Sequence, residues 1–271
     1  MKYPSITELV LRDGQQSLIA TRMRLSDITP ILSKLDNVGF SSLEMWGGAT
    51  YDCCLRFLNE DPWQRLKVIK SNIKNTQLQM LLRGKNLVGY KKYDETVIDL
   101  FINKSSENGI DIFRIFDALN DINNIVYSIE CANKYNANSQ GTISYTTSPV
   151  HNEKYWLKLA KDIEDAGAKS LGIKDMAGLL KPKTAYNLIK KLKRNLSIPI
   201  HLHTHATTGL SDATNYKAYE AGVDNIDTSI SSFSNLYAHT ATESLITMIY
   251  DENDNPFNMN ELAEIADYYQ N

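Results

Sequence analysis

The sequence predicts an α/β protein that folds as one (β/α)8 barrel, a TIM barrel, over residues 1–271. Short β-rich runs alternate with amphipathic helical runs along the whole chain, as expected for βαβ units around a parallel sheet. Eight such units fit the chain length, since barrels of this kind take roughly 250 residues. Charged and polar residues also collect at the ends of the predicted strands, where barrels carry their active sites.

The eight β-rich runs are the strand predictions. In chain order they are ITELVLRD from Ile6, SSLEMWG from Ser41, LQMLLRG from Leu78, IDIFRIFD from Ile110, GTISYTT from Gly141, AKSLGIKD from Ala168, IPIHLHTH from Ile198 and VDNIDTSI from Val223.

Amphipathic runs separate these strands and are predicted as helices. LSDITPILSKLDNVG offers Ser26 as an N-cap and Gly39 as a C-terminal stop. Similar runs are DETVIDLFINKSSENG, NEKYWLKLAKDIEDAG and PKTAYNLIKKLKRN. A doubly wound open sheet is the alternative fold. It would have fewer units and would more often show a Gly-rich dinucleotide turn after strand 1, where this chain has LRDGQQS.

Composition indicates a globular protein that acts on a small molecule. The hydrophobic fraction of 42% allows a sizeable core, and the net charge is -3 with scattered Lys and Arg, which argues against a nucleic-acid or anionic-membrane surface. The N-terminus lacks signal-peptide features, and no run approaches the ~20 apolar residues of a spanning helix. The three cysteines offer no disulfide framework, so we expect a cytoplasmic location.

Polar side chains lie at the ends of many predicted strands, which is where barrels of this kind place their active sites, here called the barrel rule. Each one alone could be a structural ion pair, but convergence at so many strand ends is hard to obtain by chance. They are Arg12, Asp13, Gln15, Gln16, Glu44, Asp52, Arg83, Tyr90, Arg114, Asp117, Lys174, Asp175, His203 and His205.

Three histidines alternate along SIPIHLHTHATTG, residues 197–209. Neighbours on one face of a strand lie ~6.6 Å apart at Cα, so two imidazoles can bind one ion, which then needs further ligands. A polar strand whose histidines bond backbone or water is the alternative. His203 and His205 are nearest the mouth and are the better ligands. His201 lies deeper and is predicted to be a core or supporting residue.

Seven motifs carry a family resemblance. They are LRDGQQSLIATRMR, SLEMWGGATYD, LLRGKNLVGY, FRIFDALND, GTISYTTSPVH, IKDMAGLLKP and HLHTHATTG. From about Thr7 to Ser244 the chain resembles the carboxyltransferase barrel of biotin-dependent enzymes, namely the oxaloacetate decarboxylase α subunit, pyruvate carboxylase and the transcarboxylase small-substrate subunit. HATTGLSDAT and SNLYAHTATESL are most similar to the oxaloacetate decarboxylase type, whereas pyruvate carboxylases more usually have Asp at the position of Ala206.

The resemblance implies a divalent metal with four protein ligands, Asp13, Lys174, His203 and His205. The family's lysine at this position is carbamylated by CO2, and a carbamate offers the anionic oxygen that an ammonium lacks. A salt bridge from Lys174 to Asp13 or Asp175 is the alternative. Zinc is the expected metal, with manganese, cobalt or magnesium as alternatives.

The resemblance also implies a keto-acid pocket. Arg83 would bind the substrate carboxylate, because a planar guanidinium fork suits a carboxylate better than a lysine does. Gln16, Asp52 and Tyr90 would line the pocket. Catalytic roles are implied for Lys174, Asp52 and Tyr90.

Arg12 and Glu44 resemble the arginine and glutamate that accompany the metal-binding aspartate in a wider class of lyase barrels, so we expect them to support and position it. The implied reaction is carboxyl transfer between oxaloacetate or pyruvate and biotin on a separate carrier domain. Breaking the C3–C4 bond of oxaloacetate leaves an enolate, and a metal together with Arg83 would stabilise its charge.

The chain departs from the family pattern at its C-terminal end. Family members continue into a helical segment with a proton-relaying threonine, and many add a biotinyl domain with a Met-Lys-Met motif. We expect both to be absent from these 271 residues, so the chain is a fragment, a degraded subunit, or one that a separate polypeptide completes. The expected partners are oxaloacetate or pyruvate, a biotin carrier protein or domain, further copies in a homo-oligomer and, for the decarboxylase type, membrane-bound decarboxylase subunits.

Two other functions compete with this interpretation. An acyl-CoA lyase or Claisen-type synthase would share the Arg-Asp pair after strand 1 and the His-x-His of strand 7, but KDMAGLLKP and LLRGKNLVGY argue against it. The second alternative is a truncated, non-catalytic subunit that binds a keto acid.

Overall fold

The computed structural model describes residues 2–251 and 253–270, and it confirms the predicted barrel. Eight parallel strands form a closed barrel in sequence order, with the last strand paired to the first. The strands are β1 (Ser5–Glu8), β2 (Ser42–Trp46), β3 (Gln77–Leu82), β4 (Ile112–Phe116), β5 (Asn138–Ser144), β6 (Ser170–Asp175), β7 (Ile200–Thr204) and β8 (Asn225–Thr228).

Helices connect successive strands and follow β8. They are α1 (Gln15–Ile19), α2 (Leu25–Ile28), α3 (Leu32–Asn37), α4 (Gly48–Cys53), α5 (Pro62–Asn72), α6 (Glu95–Glu107), α7 (Ile122–Lys134), α8 (Glu153–Asp165), α9 (Pro182–Asn195), α10 (Ser211–Ala221), α11 (Thr242–Ile249) and α12 (Met259–Gln270).

The first predicted helix is interrupted, and its predicted N-cap is wrong. The helix begins at Leu25, so Ser26 lies inside it, and the Asp27 side chain accepts from the backbone N–H of Arg24 at 2.8 Å. A 3-10 turn containing Pro30 separates α2 from α3, because proline lacks the N–H that would continue the helix. Gly39 follows α3 with φ of 107°, in agreement with its predicted role as the stop.

β1 is shorter than predicted, and the residues after it form a single π-helical turn over Val10–Gly14. The backbone N–H of Gly14 donates to the carbonyl of Leu9 at 3.0 Å, which closes the turn. A Cβ at position 14 would come within 2.3 Å of Ser229 Oγ beyond β8, so any larger residue here would require the Ser229 side chain to move. The predicted strand end carrying Arg12 and Asp13 is therefore a tight turn at the carboxyl end of the strand.

The core lies in the barrel and between the barrel and its helices. Strands β2 and β4 are buried at every residue, as expected for parallel strands that are covered on both faces. Helix residues such as Leu66, Ile98 and Leu188 pack in the same cluster as Leu43 and Ile115 of the strands. No helix within the described residues is long and apolar enough to cross a membrane.

The Glu8 side chain connects the segments that follow β1 and β8, the two strands that close the barrel. Its Oε1 accepts from the backbone N–H groups of Leu9, Val10 and Ile230 at 3.1, 2.9 and 3.0 Å. Its Oε2 accepts from the Thr242 hydroxyl at 2.5 Å. Glu8 is fully buried, so water cannot take its place as the hydrogen-bond acceptor for these donors. One side chain therefore starts the π-helical turn after β1 and fixes the segment after β8.

We predict that Glu8→Leu strongly destabilises the barrel. The substitution leaves the buried N–H groups of Val10 and Ile230 without an acceptor, whereas the N–H of Leu9 and the hydroxyl of Thr242 keep Thr228 as an acceptor. Each unsatisfied donor costs about 1–3 kcal/mol, so the free energy of unfolding should fall by about 2–6 kcal/mol. Glu8→Gln keeps a carbonyl oxygen for the three N–H groups and should lose less than half as much. Urea unfolding followed by circular dichroism measures both. Equal losses in the two variants would show that hydrogen bonds to the Oε1 atom do not explain the role of Glu8.

Candidate functional site

Four potential metal ligands converge at the carboxyl-terminal mouth of the barrel. Asp13 Oδ2 lies 3.3 Å from Nε2 of His203, 3.6 Å from Nε2 of His205 and 3.4 Å from Nε2 of His239. All four ligand atoms lie within 4.8 Å of one another. Asp13, His203 and His239 are buried, and the side chain of His205 is only 12% exposed.

Three different parts of the chain position these side chains. Asp13 projects from the π-helical turn, His203 lies in β7, and His205 follows that strand directly. His239 belongs to the segment after β8, which forms an isolated antiparallel bridge with His205. The adjacent N–H of Ala206 donates to the carbonyl of Ala238 at 2.8 Å. This bridge brings the imidazole of His239 over the end of β7.

Each of the three imidazoles is held by its Nδ1 atom. His205 Nδ1 lies 2.7 Å from the carbonyl oxygen of Tyr237, and His239 Nδ1 lies 3.0 Å from that of Thr204. His203 Nδ1 lies 2.8 Å from the carboxylate of Asp227. Because these oxygens only accept, each Nδ1 carries the proton, and each Nε2 presents a lone pair to the common centre. This is the orientation that imidazole ligands of metals adopt.

Lys174 completes the group at the end of β6. Its Nζ lies 2.6 Å from His203 Nε2 and 3.4 Å from Asp13 Oδ2. Burial lowers the pKa of the Lys174 amine to about 8. Burial alone would raise the pKa of Asp13, but the charges of Arg12 and Lys174 hold it well below its usual range. The centre therefore combines an ionised carboxylate with an amine that is easily deprotonated.

A buried network of charges lies beneath the centre. Arg12 donates to Asp13 at 2.6 Å and also pairs with Glu44. Arg114 pairs with Asp227 and lies 3.1 Å from Glu44. Burial opposes ionisation of both carboxyl groups, but Arg12 and Arg114 lower the pKa of Glu44, and Arg114 with His203 lowers that of Asp227. Each buried charge is thus paired, as burial requires.

A cavity of about 360 Å³ opens beside the centre. Asp13, Lys174 and His205 form one side, and Gln16, Arg83 and Phe116 also line it. The cavity is large enough for a small organic acid. It places a guanidinium in the same space as the potential metal ligands.

Arg83 is held close to the backbone of α4. It donates to the carbonyl of Gly89 at 3.1 Å, and its Cζ lies 4.9 Å from the ring centroid of Tyr90. A Cβ at Gly48 would lie 2.9 Å from that Cζ and 2.8 Å from the carbonyl of Val88. A glycine at position 48 therefore provides the room that the guanidinium needs.

The structure brings most of the predicted site residues together. The four predicted ligands, Asp13, Lys174, His203 and His205, share one cluster, and Gln16 and Arg83 line the adjoining cavity. Their roles as ligands and substrate contacts stay predictions.

Two predicted pocket residues lie further out. Asp52 is 3.4 Å from Arg56, and Tyr90 is 79% exposed, with its ring above Arg83. Neither is among the described residues that line the cavity. His201 lies on the same face of β7 as His203, one pleat deeper, with a buried Nδ1 that has no hydrogen-bond partner.

Two residues, His239 and Asp227, belong to the site but were not among the residues predicted from the sequence. His239 lies in an irregular segment, where no periodicity relates it to the other histidines. The barrel rule could have found it, because it follows strand 8 at the active-site end. Asp227 lies within VDNIDTSI, and its alternation with Ile226 and Thr228 could have indicated an inward side chain.

The donor set fits a divalent transition metal. Imidazole nitrogens with a carboxylate oxygen are ligands that zinc, cobalt and manganese accept. The described residues offer three such nitrogens and one such oxygen, already oriented towards one point. Beside a cavity with a fixed arginine, a metal here could polarise a small anionic substrate.

Comparison with known proteins identifies related chains. The HMGL-like family model matches residues 4–268. A pyruvate carboxylase subunit of Methanocaldococcus jannaschii is 51% identical over 265 residues, which are 97% of this chain and 47% of the relative. The methylmalonyl-CoA carboxyltransferase 5S subunit of Propionibacterium freudenreichii subsp. shermanii is 50% identical over 246 residues, 90% of this chain and 49% of the relative.

A solved structure is similar over the same length. The carboxyl transferase domain of Rhizobium etli pyruvate carboxylase with pyruvate has a TM-score of 0.95 and 40% identity, and the match covers 100% of this chain and 47% of that chain. The chain therefore spans about half the length of the curated relatives it matches.

We predict that His201 makes the fold less stable in acid. Burial lowers the pKa of His201 to about 4 from an ordinary value of 6.5, and the charge of Arg114 adds to the shift. As the pH falls from 6.5 towards 4, the unfolded chain takes up a proton that the folded chain does not, so the stability present above pH 6.5 is lost. The loss should reach about 3 kcal/mol near pH 4.

His201→Gln removes this group and tests the prediction. The difference in unfolding free energy between the original chain and the variant is measured at four values between about pH 7.5 and about pH 4.5, with a chelator present. Acid should destabilise the original chain more than the variant. Parallel pH curves would contradict the prediction.

Proposed function

The chain belongs to the HMGL-like family, and from this premise we propose that it is the carboxyltransferase barrel of a biotin-dependent enzyme. It would transfer a carboxyl group between oxaloacetate or pyruvate and biotin on a carrier domain. One observation carries the proposal: the cluster around Asp13 and the guanidinium of Arg83 face the same small cavity. We further propose that the 271 residues form a single domain of this type and assemble as a homo-oligomer.

The similarity favours the pyruvate carboxylase type over the oxaloacetate decarboxylase type. Relatives at 51% and 47% identity are named as pyruvate carboxylase subunits. The decarboxylase type, with the membrane-bound subunits it would bring, is the alternative that the motifs around Ala206 and His239 favour. A non-catalytic keto-acid-binding subunit is the third possibility.

The metal is proposed to be held by Asp13, His203, His205 and a carbamylated Lys174. A divalent ion, with zinc first and manganese, cobalt or magnesium as alternatives, would supply a Lewis acid beside the keto oxygen. Arg12 supports this site, because it donates to Asp13 and is itself fixed by Glu44.

Carbamylation of Lys174 is supported by the surrounding charges. The ammonium first loses one proton, and the neutral amine then forms an N–C bond to CO2 and releases a second proton, so the side chain changes from a cation to an anion. A pKa of about 8 means that the neutral amine is accessible near neutral pH. With Lys174 as an ammonium, Asp13, Glu44 and Asp227 balance Arg12, Arg114 and Lys174. The carbamate would leave two negative charges in excess, which a divalent ion neutralises.

Substrate binding is proposed to depend on Arg83 and Gln16. Arg83 would pair with the keto-acid carboxylate, and Gln16 is steadied by Arg12, which donates to its Oε1 at 3.3 Å. Asp52 and Tyr90 are proposed to take part in catalysis. Because Tyr90 stands exposed above Arg83, that role requires the loop after β3 to move towards the substrate.

We predict that Arg83→Lys weakens pyruvate binding about tenfold or more, because a point charge replaces the bidentate fork. Metal content should stay unchanged, since no hydrogen bond or ion pair between described residues joins Arg83 to Asp13 or the three histidines. Calorimetric titration with pyruvate measures the first quantity and elemental analysis the second. Lys92→Ala, which removes an exposed cation from the same loop, is the control and should bind normally. Undiminished binding by Arg83→Lys would remove Arg83 from the substrate site.

Turnover should need more than keto-acid binding. In the family that the chain resembles, a threonine after the barrel relays a proton, and such a relay contributes about 10²- to 10⁴-fold. Because these 271 residues span about half the length of the relatives, we expect them to bind pyruvate by themselves, and we expect biotin-stimulated oxaloacetate decarboxylation to rise when a C-terminal segment of a relative is co-expressed. Full activity from the chain alone would show that the relay lies within it. Absence of keto-acid binding would favour the non-catalytic alternative.

A further inference from the structure

His239 contributes an unsatisfied nitrogen to the centre. The residue is 0% exposed, and its Nε2 has no hydrogen-bond partner among the described residues. Its Nδ1 is already occupied by the carbonyl of Thr204. A buried polar atom without a partner is uncommon, and it indicates a missing ligand where the surroundings are polar.

The neighbours of this nitrogen cannot satisfy it. Since Nδ1 carries the proton, Nε2 needs a donor or a cation. Asp13 Oδ2 lies 3.4 Å away, but it belongs to a carboxylate that Arg12 keeps ionised. The other two imidazoles face the same point with their own Nε2 lone pairs. The Lys174 amine lies against His203, and no hydrogen bond between described atoms connects it to His239.

A cation at the shared point would satisfy all of these atoms together. Asp13, His203, His205 and His239 have ligand atoms within 4.8 Å of one another, which is close enough for one ion to contact each. Zinc binds at ~2.0–2.2 Å to nitrogen and oxygen, so opposite ligands of one ion are up to about 4 Å apart and the four ligand side chains need only small adjustments. The amine of Lys174, which lies 2.6 Å from His203 Nε2, would have to move away from that nitrogen. The backbone of His205 and that of His239 are already held together by their bridge.

We propose that His239 is a further ligand of the divalent metal beside Asp13, His203 and His205, so that the ion has four protein ligands whether or not Lys174 is carbamylated. The inference rests on the metal site of the proposed function. If His239 is a ligand, the metal site forms before Lys174 is carbamylated, and the carbamate is added to it afterwards. Metal loading would then not depend on CO2. A nitrogen-rich set also favours zinc or cobalt over magnesium, which takes oxygen ligands and water.

The experiment measures metal binding by the 271-residue chain without any turnover. The protein is stripped with a chelator, transferred to CO2-free buffer and titrated with Co²⁺, which is followed by visible absorption and by metal content after dialysis. Lys174→Met removes the carbamate site. His239→Phe removes the proposed ligand but keeps a ring, and His239→Gln is a second variant if the first is unstable.

The expected pattern separates the two ligand sets. The unmodified chain and Lys174→Met should bind Co²⁺ with affinities within about threefold of each other. Both His239 variants should bind at least about tenfold more weakly, since even residues that only orient a ligand contribute 10- to 100-fold. His203→Ala is the positive control for lost binding. His201→Phe makes the same ring exchange two residues along β7, outside the cluster, and should keep its metal.

Contrary results are equally clear. Unchanged affinity in a folded His239 variant would overturn the proposal, as would metal binding that requires bicarbonate and disappears in Lys174→Met. Failure of the proposed function would look different, because pyruvate binding would then be absent from a protein that still binds the metal through His239.

Discussion

One carboxylate determines the arrangement of the barrel mouth. Asp13 Oδ2 accepts from Arg12 at 2.6 Å, and three imidazole nitrogens and the amine of Lys174 lie within 3.6 Å of it. A buried charge must be paired, so the surrounding cations cannot move independently of it. Arg12 extends the constraint to Glu44 on β2, and Glu44 extends it to Arg114 on β4. The barrel strands are therefore tied together by charge as well as by backbone hydrogen bonds.

The barrel could be predicted from the sequence because buried parallel strands are nearly continuous apolar runs, separated by amphipathic helices. The local conformation after β1 could not. Val10 and Leu11 are apolar and buried, as strand residues would be, so the pattern does not distinguish an extended strand from one π-helical turn. The placement of Arg12 and Asp13 at the mouth was unaffected by this error, because both conformations begin at the carboxyl end of β1.

The candidate site could be predicted where its residues follow the two-residue repeat of a β-strand or lie at the end of one. His203 and His205 alternate along β7, and Lys174 lies near the end of β6, so the barrel rule places them together. His239 follows no period, and its position depends on a bridge to His205 that only the tertiary structure reveals. The pocket roles of Asp52 and Tyr90 were assigned through resemblance alone. Asp52 lies in α4 and Tyr90 in the loop after β3, and residue patterns do not encode how far either side chain lies from the cavity.

Because a backbone carbonyl holds the His205 imidazole, a mutational scan of single substitutions would not reveal this contact. Tyr237 is 65% exposed, so most substitutions there would score as neutral surface changes. Its carbonyl oxygen nevertheless holds the ring of His205 at 2.7 Å, and every amino acid supplies the same carbonyl. Position 237 can thus accept different amino acids, although the place of its backbone carbonyl is essential. A deletion or insertion beside it would misdirect His205, whereas scanning single substitutions would leave that dependence unseen.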